Sequence, residues 1–283
     1  MPAEDRPSKL RAVLLAALNT RLYRPVLETA GLGTPGDIAD VRSVEQALAK
    51  LPSVNVCVPG IRPTTLLNPD GPPRRRRELY WPLPPAARTA ILAGGFRENG
   101  ETKVFYDVRR GDLLNYAPDA LAGPVYELRR LADAAEDRSR RLPRLEHSVI
   151  AFSILRQAFL SNEARDLFWR VFRVPAFGQI LDLSNALMAW ECEAHQGYHV
   201  ASENAIFETE HGGGEPELLL TSLADLRQPV LRMATGLTAR IGHSTCGCGQ
   251  SGPRLLDVRR RSLPQHATAS VDCCAVEQML AEC

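Results

Sequence analysis

Apolar residues recur every three to four positions near the start of the chain: Leu10, Val13, Leu14, Ala17 and Leu18, then Tyr23, Val26 and Leu27. That spacing predicts an amphipathic helix over residues 8–30, ended by Gly31 and Gly33. A second, short helix is predicted over 40–51. Periodicity lapses over 59–85, which is rich in Pro and Arg. Two short runs follow, Ala90-Ile91-Leu92-Ala93 and Thr102-Lys103-Val104-Phe105-Tyr106, on either side of Glu98-Asn99-Gly100-Glu101. Asn-Gly between such runs predicts a β-hairpin over 88–108. Residues 119–135 and 162–172 return to a helical pattern. Ala176-Phe177, Ile206-Phe207, Leu218-Leu219-Leu220 and Val230-Leu231 then alternate with turns and read as strands. Val271 to Cys283 reads as a short amphipathic tail helix. There is no internal repeat. Helices early and strands in the second half predict an α/β fold of layered sheets with helices. The expected organisation is an N-terminal helical segment (1–58), an α/β core (59–262) and the tail helix (263–283).

A chain of 283 residues suffices for one large domain or two modest ones with a sizeable core. Lys+Arg number 34 against 33 Asp+Glu, a net charge of +1, so no global field argues for nucleic acid. The run Gly71-Pro72-Pro73-Arg74-Arg75-Arg76-Arg77 is single and has no aromatic interleaving. It reads as a solvated loop rather than a phosphate contact. The longest apolar stretch near the N-terminus, Ala12 to Leu18, is too short for a bilayer. No signal-peptide pattern accompanies it. A cytoplasmic protein without membrane contact is therefore expected. The seven cysteines are an odd number without framework spacing, which suits a reducing cytosol and a metal site better than disulfides.

Two short motifs carry the candidate chemistry. One is Glu191-Cys192-Glu193-Ala194-His195-Gln196-Gly197-Tyr198-His199; the other is Cys246-Gly247-Cys248-Gly249. Cys192 and His195 stand at a usual zinc-knuckle spacing. Gly247 and Gly249 allow a tight turn that points two thiolates the same way. Cys192, His195, Cys246 and Cys248 thus make a Cys₃His set with no open position, a structural zinc site pinning a small strand-rich lobe. His199 is the rival fourth ligand. The alternative is that these are free thiols. Cys273, Cys274 and Cys283 read as ordinary residues of the tail helix. There is no nucleophile elbow, dinucleotide fingerprint or Walker loop.

From Leu160 to Leu256 the chain resembles the phenylacetate–coenzyme A ligase branch of the adenylate-forming enzymes, to which coenzyme F-type synthetases also belong. Residues Leu160 to Phe177, ending in Phe172-Arg173-Val174-Pro175-Ala176-Phe177, are similar to the family's helix and following strand. Ala189-Trp190-Glu191-Cys192 with Gly197-Tyr198-His199 is similar to its Glu-Cys and Gly-Leu-His elements. Gly214-Glu215, Leu218 to Leu223 and Pro229-Val230-Leu231-Arg232 follow in the family's order, and Cys246-Gly247-Cys248-Gly249 resembles the Cys-x-Cys-Gly of its metal-bearing members.

The resemblance implies the family's large N-terminal domain and its reaction, ATP-dependent activation of a carboxylate and transfer to coenzyme A. It also implies what this chain lacks. There is no Ser/Thr/Gly-rich phosphate loop. Asp182 stands where the Mg²⁺-binding glutamate is expected, one methylene shorter. Leu237 replaces the ribose-binding aspartate. The chain ends soon after Arg261, so the mobile domain with its lysine is expected to be absent. The implied remnant pocket for a small acyl or aryl ligand involves Asp182, Arg232 and Thr235, with His199 assigned to packing or that pocket. No catalytic residue is assigned. The expectation is a degenerate homologue that binds a small ligand or a protein partner, or assembles with itself. The alternative is an active AMP-forming ligase or acyltransferase with a rebuilt site, using ATP and Mg²⁺.

Overall fold

The computed structural model describes residues 6–55, 66–106, 112–139, 141–154, 158–211 and 214–261. The expected tail helix lies outside them. The chain forms two compact units. One comprises, of the described residues, 6–55, 66–73, Glu203–Ala239 and 260–261; the other comprises Arg74–Ser202 and Arg240–Arg259.

The first unit begins with α1 (Arg6–Leu18), α2 (Tyr23–Thr29), α3 (Pro35–Ala39) and α4 (Val44–Ala49). The single helix expected over 8–30 is two helices. Thr20 explains the break: its hydroxyl donates to the Ala17 carbonyl and accepts from the Tyr23 N–H, so it ends one helix and starts the next. Thr34 and Asp37 form a reciprocal capping box at α3. This unit's sheet is the antiparallel set β8 (Ala205–Glu210), β9 (Glu217–Ser222) and β10 (Val230–Ala234), ordered β10-β9-β8. The strands coincide with the apolar runs noted above.

Tyr23 ties α2 to β10. Its hydroxyl donates to the Leu231 carbonyl (3.2 Å) and accepts from the Leu231 N–H (3.0 Å). The side chain is buried, and burial pushes its ionisation well above the usual tyrosine range. Tyr23→Phe strands both backbone groups in the interior. It is expected to cost about 1–3 kcal/mol, readable in denaturant unfolding; a change within error would show that the hydroxyl does not hold α2 to β10.

The second unit is built on β1 (Thr89–Ile91), β2 (Thr102–Val104), β3 (Ala120–Pro124), β4 (Ser148–Ile154), β5 (Ala176–Leu181), β6 (Leu187–Glu191) and β7 (Tyr198–Val200). Helices α5 (Asp112–Tyr116), α6 (Val125–Glu136) and α7 (Asn162–Phe172) lie between strands of this set. With β11 (Leu237–Gly242) and β12 (Arg254–Arg260), along which the chain passes between the units, the sheet runs β11-β12-β7-β6-β5-β4-β3-β1-β2. From β2 to β5 every pairing is parallel; from β5 through β6 and β7 to β12 every pairing is antiparallel. Helices α6 and α7 connect β3, β4 and β5 as successive βαβ units.

The parallel half is covered on both faces. Leu121, Val149, Ala151 and Ala176 pack with Leu128, Leu131, Leu167 and Phe168 of α6 and α7. Ile91, Ala122, Ile150 and Phe152 point the other way, with Phe96 stacked on Phe152. This alternation is the period of two expected of strands.

The hairpin expected over 88–108 is a correction. β1 and β2 pair in parallel, Thr89 beside Thr102 and Ile91 beside Val104. Asn99 does make a turn, but a different one: its side-chain oxygen accepts from the backbone N–H of Glu101 and Thr102 and so launches β2. The chain between the strands first returns past Arg77, whose backbone bonds to Gly95 and Arg97. Within the arginine run, Arg74, Arg75 and Arg76 are exposed, whereas Arg77 donates to Ser184 Oγ.

Candidate metal centre

The strand ladder decides which side chains meet. Trp190 on β6 pairs with His199 on β7, and His199 pairs with Arg254 on β12. Paired residues share a face, as do residues two apart on one strand. Cys192 therefore emerges on the face that carries Trp190 and His199. The turn after β6 is closed by the His195 N–H donating to the Cys192 carbonyl. The second motif folds over as a matching turn: the Gly249 N–H donates to the Cys246 carbonyl, and Gly249 takes a positive φ of 85°.

Three sulfurs and one imidazole converge. Cys192 Sγ lies 3.6 Å from Cys246 Sγ, and His199 Nε2 lies 3.4 Å from both Cys192 Sγ and Cys248 Sγ. All four donor atoms fall within 4.8 Å of one another; Cys192, His199 and Cys246 are buried and Cys248 is half-buried. A tetrahedron with metal–sulfur bonds of about 2.3 Å has edges of roughly 3.7 Å, close to these separations. The cluster can hold a metal ion, and its donor set is compatible with structural zinc.

The fourth member that the structure brings to the sulfurs is His199, not His195. His195 sits in the turn at φ 49°, and its ring stacks on Phe177 with centroids 5.0 Å apart. Knuckle spacing favours His195 in the sequence; strand pairing delivers His199 in space.

Two residues without a sequence signal hold the second loop in place. Gln196 Oε1 accepts from the Gly247 N–H at 2.9 Å. The buried Arg254 donates to the carbonyls of Gln196, Ser244 and Thr245 and to the Ser244 hydroxyl. Such outer partners orient ligands and tune their basicity. Burial pushes the Cys192 thiol up to about 11. Burial acts the same way on Cys246, but the Cys248 N–H, the neighbouring thiols and Arg254 outweigh it and lower that thiol. Burial, then Arg254, lowers His199, so the imidazole is neutral at pH 7, the form that ligates.

The opposite face of the same strands carries an ion pair. Glu191 accepts from Arg165 of α7 through both carboxylate oxygens (2.9 Å each) and from the Gly178 N–H at 2.6 Å. Its side chain is 6% exposed and that of Arg165 29%.

His195 is an exposed residue, and the partial burial of its ring lowers it in the same direction as the buried His199, with less effect on stability. Both stay neutral in the folded chain at a pH where the unfolded chain, with ordinary histidines near 6.5, begins to take up protons. This stability is therefore present above about pH 6.5 and is lost as pH falls below it. The metal-free protein is expected to melt progressively lower from pH 7.5 to pH 5.5, with a smaller fall in His195→Gln. Identical slopes in the two proteins would contradict the assignment.

The residues implied for a remnant ligand pocket are engaged internally. Asp182 is buried, and its Oδ1 accepts from Ser184 N–H (2.8 Å), Ser184 Oγ (2.8 Å) and Ala186 N–H (2.9 Å), capping the turn between β5 and β6. Arg232 and Thr235 belong to the other unit. Arg232 pairs with Glu208 and Glu210 and donates to the Leu51 carbonyl. Thr235 Oγ1 donates to the Leu218 carbonyl and accepts from the Leu237 N–H.

No family model matches the chain, and no curated protein matches it in sequence. Solved structures do match in shape. An open conformation of 2-hydroxyisobutyryl-CoA ligase, in complex with 2-HIB-AMP and CoA, aligns with a TM-score of 0.62 at 14% identity, over 92% of this chain and 71% of that one. The chain has the fold of adenylate-forming enzymes. The same ligase in its postadenylation state with 2-HIB-AMP gives 0.62 at 16% identity, over 92% and 69%. At such identities the likeness is one of fold, and activity is argued from the site. Among the described residues no helix is long and apolar enough to cross a membrane.

Proposed function

We propose that this protein is a zinc-pinned relative of the phenylacetate–coenzyme A ligase branch that has lost ATP-dependent ligation and serves as a binding or assembly protein. The observation that carries the reading is the state of Asp182. A carboxylate that is to hold Mg²⁺ beside ATP needs lone pairs free for the ion. Here one oxygen already accepts three hydrogen bonds from its own turn, and the group is buried. The sequence has no Ser/Thr/Gly-rich loop to offer backbone N–H groups to phosphates, and the family resemblance implies that Leu237 stands where a ribose-binding carboxylate is expected. Loss of one transition-state donor typically slows a reaction by roughly a hundred- to a thousand-fold, and here several are missing together.

Zinc suits the cluster because three thiolates and an imidazole are a closed structural set. When bound, the ion supplies a cross-link between two loops. Cys192 and His199 would hold it from the β6–β7 side, and Cys246 and Cys248 from the loop before β12. Gln196 and Arg254 orient that loop.

The test is ATP–pyrophosphate exchange with a panel of aliphatic and aromatic carboxylates. The expected result is exchange at the level of the reaction without protein. Robust carboxylate-dependent exchange would overturn the reading and establish an active AMP-forming ligase with a rebuilt site.

A further inference from the structure

Beside the metal centre is a cavity of about 280 Å³. Tyr80 and Trp190 form its aromatic side, their ring centroids 4.9 Å apart and tilted by 51°. The Trp190 ring also stacks on His199, with centroids 5.6 Å apart. The Pro82-Leu83-Pro84 segment makes an apolar wall. Cys192 and Cys248 of the metal cluster border the cavity, and the exposed Glu193 stands at its rim.

Among the described residues, the lining contains a carboxylate and no Lys, Arg or His. Three thiolates and a neutral imidazole around a divalent ion carry a net negative charge, which adds to that of Glu193. Arg254 offsets part of it, but its guanidinium is directed at the carbonyls of Gln196, Ser244 and Thr245. Aromatic faces add a further attraction for cations through their quadrupoles. Phosphate, carboxylate and acyl-adenylate groups are disfavoured here on the same grounds.

We propose that this cavity binds an organic ammonium group, with Tyr80 and Trp190 against its alkyl substituents and Glu193 facing its charge. This goes beyond the reading above and does not depend on whether ATP chemistry survives; it rests on the metal centre only for the cluster's share of negative charge. The ammonium can belong to a small free cation or to a lysine side chain of a partner.

Ligand-observed NMR titrations of the purified full-length protein test this, with choline, Nα-acetyl-lysine amide and 3,3-dimethylbutan-1-ol, the neutral isostere of choline. One or both cations are expected to bind with roughly millimolar Kd, as suits a few cation–π and rim contacts. The isostere is expected to bind much more weakly. Preference for choline assigns a free small cation, and preference for the lysine derivative a protein side chain. Glu193→Lys changes an exposed side chain and leaves the core intact; it should weaken cation binding by roughly tenfold. Binding of the isostere as tight as choline, no binding of either cation, or no effect of Glu193→Lys would overturn the proposal.

Discussion

Cys246→Ser is expected to lose its metal and a large part of its thermal stability together. Cys246 Sγ lies 3.6 Å from Cys192 Sγ, and a serine hydroxyl cannot replace a thiolate at that corner. In small zinc-dependent folds the metal contributes on the order of 10 kcal/mol to folding. This domain has its own core, so only part of that is at stake, and a fall of about 10 °C in Tm corresponds to a few kcal/mol for a chain of this size. Wild type is expected to carry roughly one zinc per chain, and chelation of wild type should reproduce the variant's Tm. The histidine assignment is tested in the same assay. His199→Ala should lower zinc content, whereas His195→Ala, which removes a ring stacked on Phe177, should leave it near wild type. Equal zinc content and Tm in Cys246→Ser and wild type would mean that the thiols are free.

Glu191→Ala is the second large effect. It leaves the Arg165 guanidinium and the Gly178 N–H without their acceptor at a nearly closed site. Breaking a buried pair on one side typically costs about 3–5 kcal/mol, and the partial exposure of Arg165 puts the expected value at about 3 kcal/mol. Replacing both partners, as Glu191→Leu with Arg165→Met, should recover part of the loss, because no charge then remains unpaired. Denaturant unfolding of the two proteins reads the difference. A single variant within about 0.5 kcal/mol of wild type would show that the pair holds nothing together.

The two effects lie on opposite faces of β6 and β7, and the sequence shows only one of them. The cysteine motifs stand out by residue type and spacing. Glu191 opens the first motif, but nothing in the motif shows its ion pair, because its partner Arg165 is distant in sequence and only the fold brings α7 to it. The same limit explains His199. Spacing within a motif speaks for His195, but a side chain three residues on in a turn faces away, while one across a ladder faces inward.

The fold was legible where one face is wet. Helix α7 follows its predicted span because Ser161 caps it and its apolar residues recur on one side. The central parallel strands were harder. β3, Ala120–Pro124, is buried along its whole length, as is nearly all of β4. Strands buried on both faces show no alternation, so β3 reads as the start of the helix that follows it. Asn99-Gly100 reads as a turn but not as the entry to a parallel strand, since turn chemistry says nothing of the strand's later partner.

On the function proposed above, the adenylate-forming fold persists here without its nucleotide chemistry. Calorimetric titration of the zinc-loaded protein with ATP and with AMP, in the presence of Mg²⁺, tests it most directly. No saturable heat is expected with either nucleotide. Saturable binding of Mg²⁺–ATP that is weakened by Asp182→Asn would contradict it, because it would show the Asp182 carboxylate serving a bound nucleotide rather than its own turn.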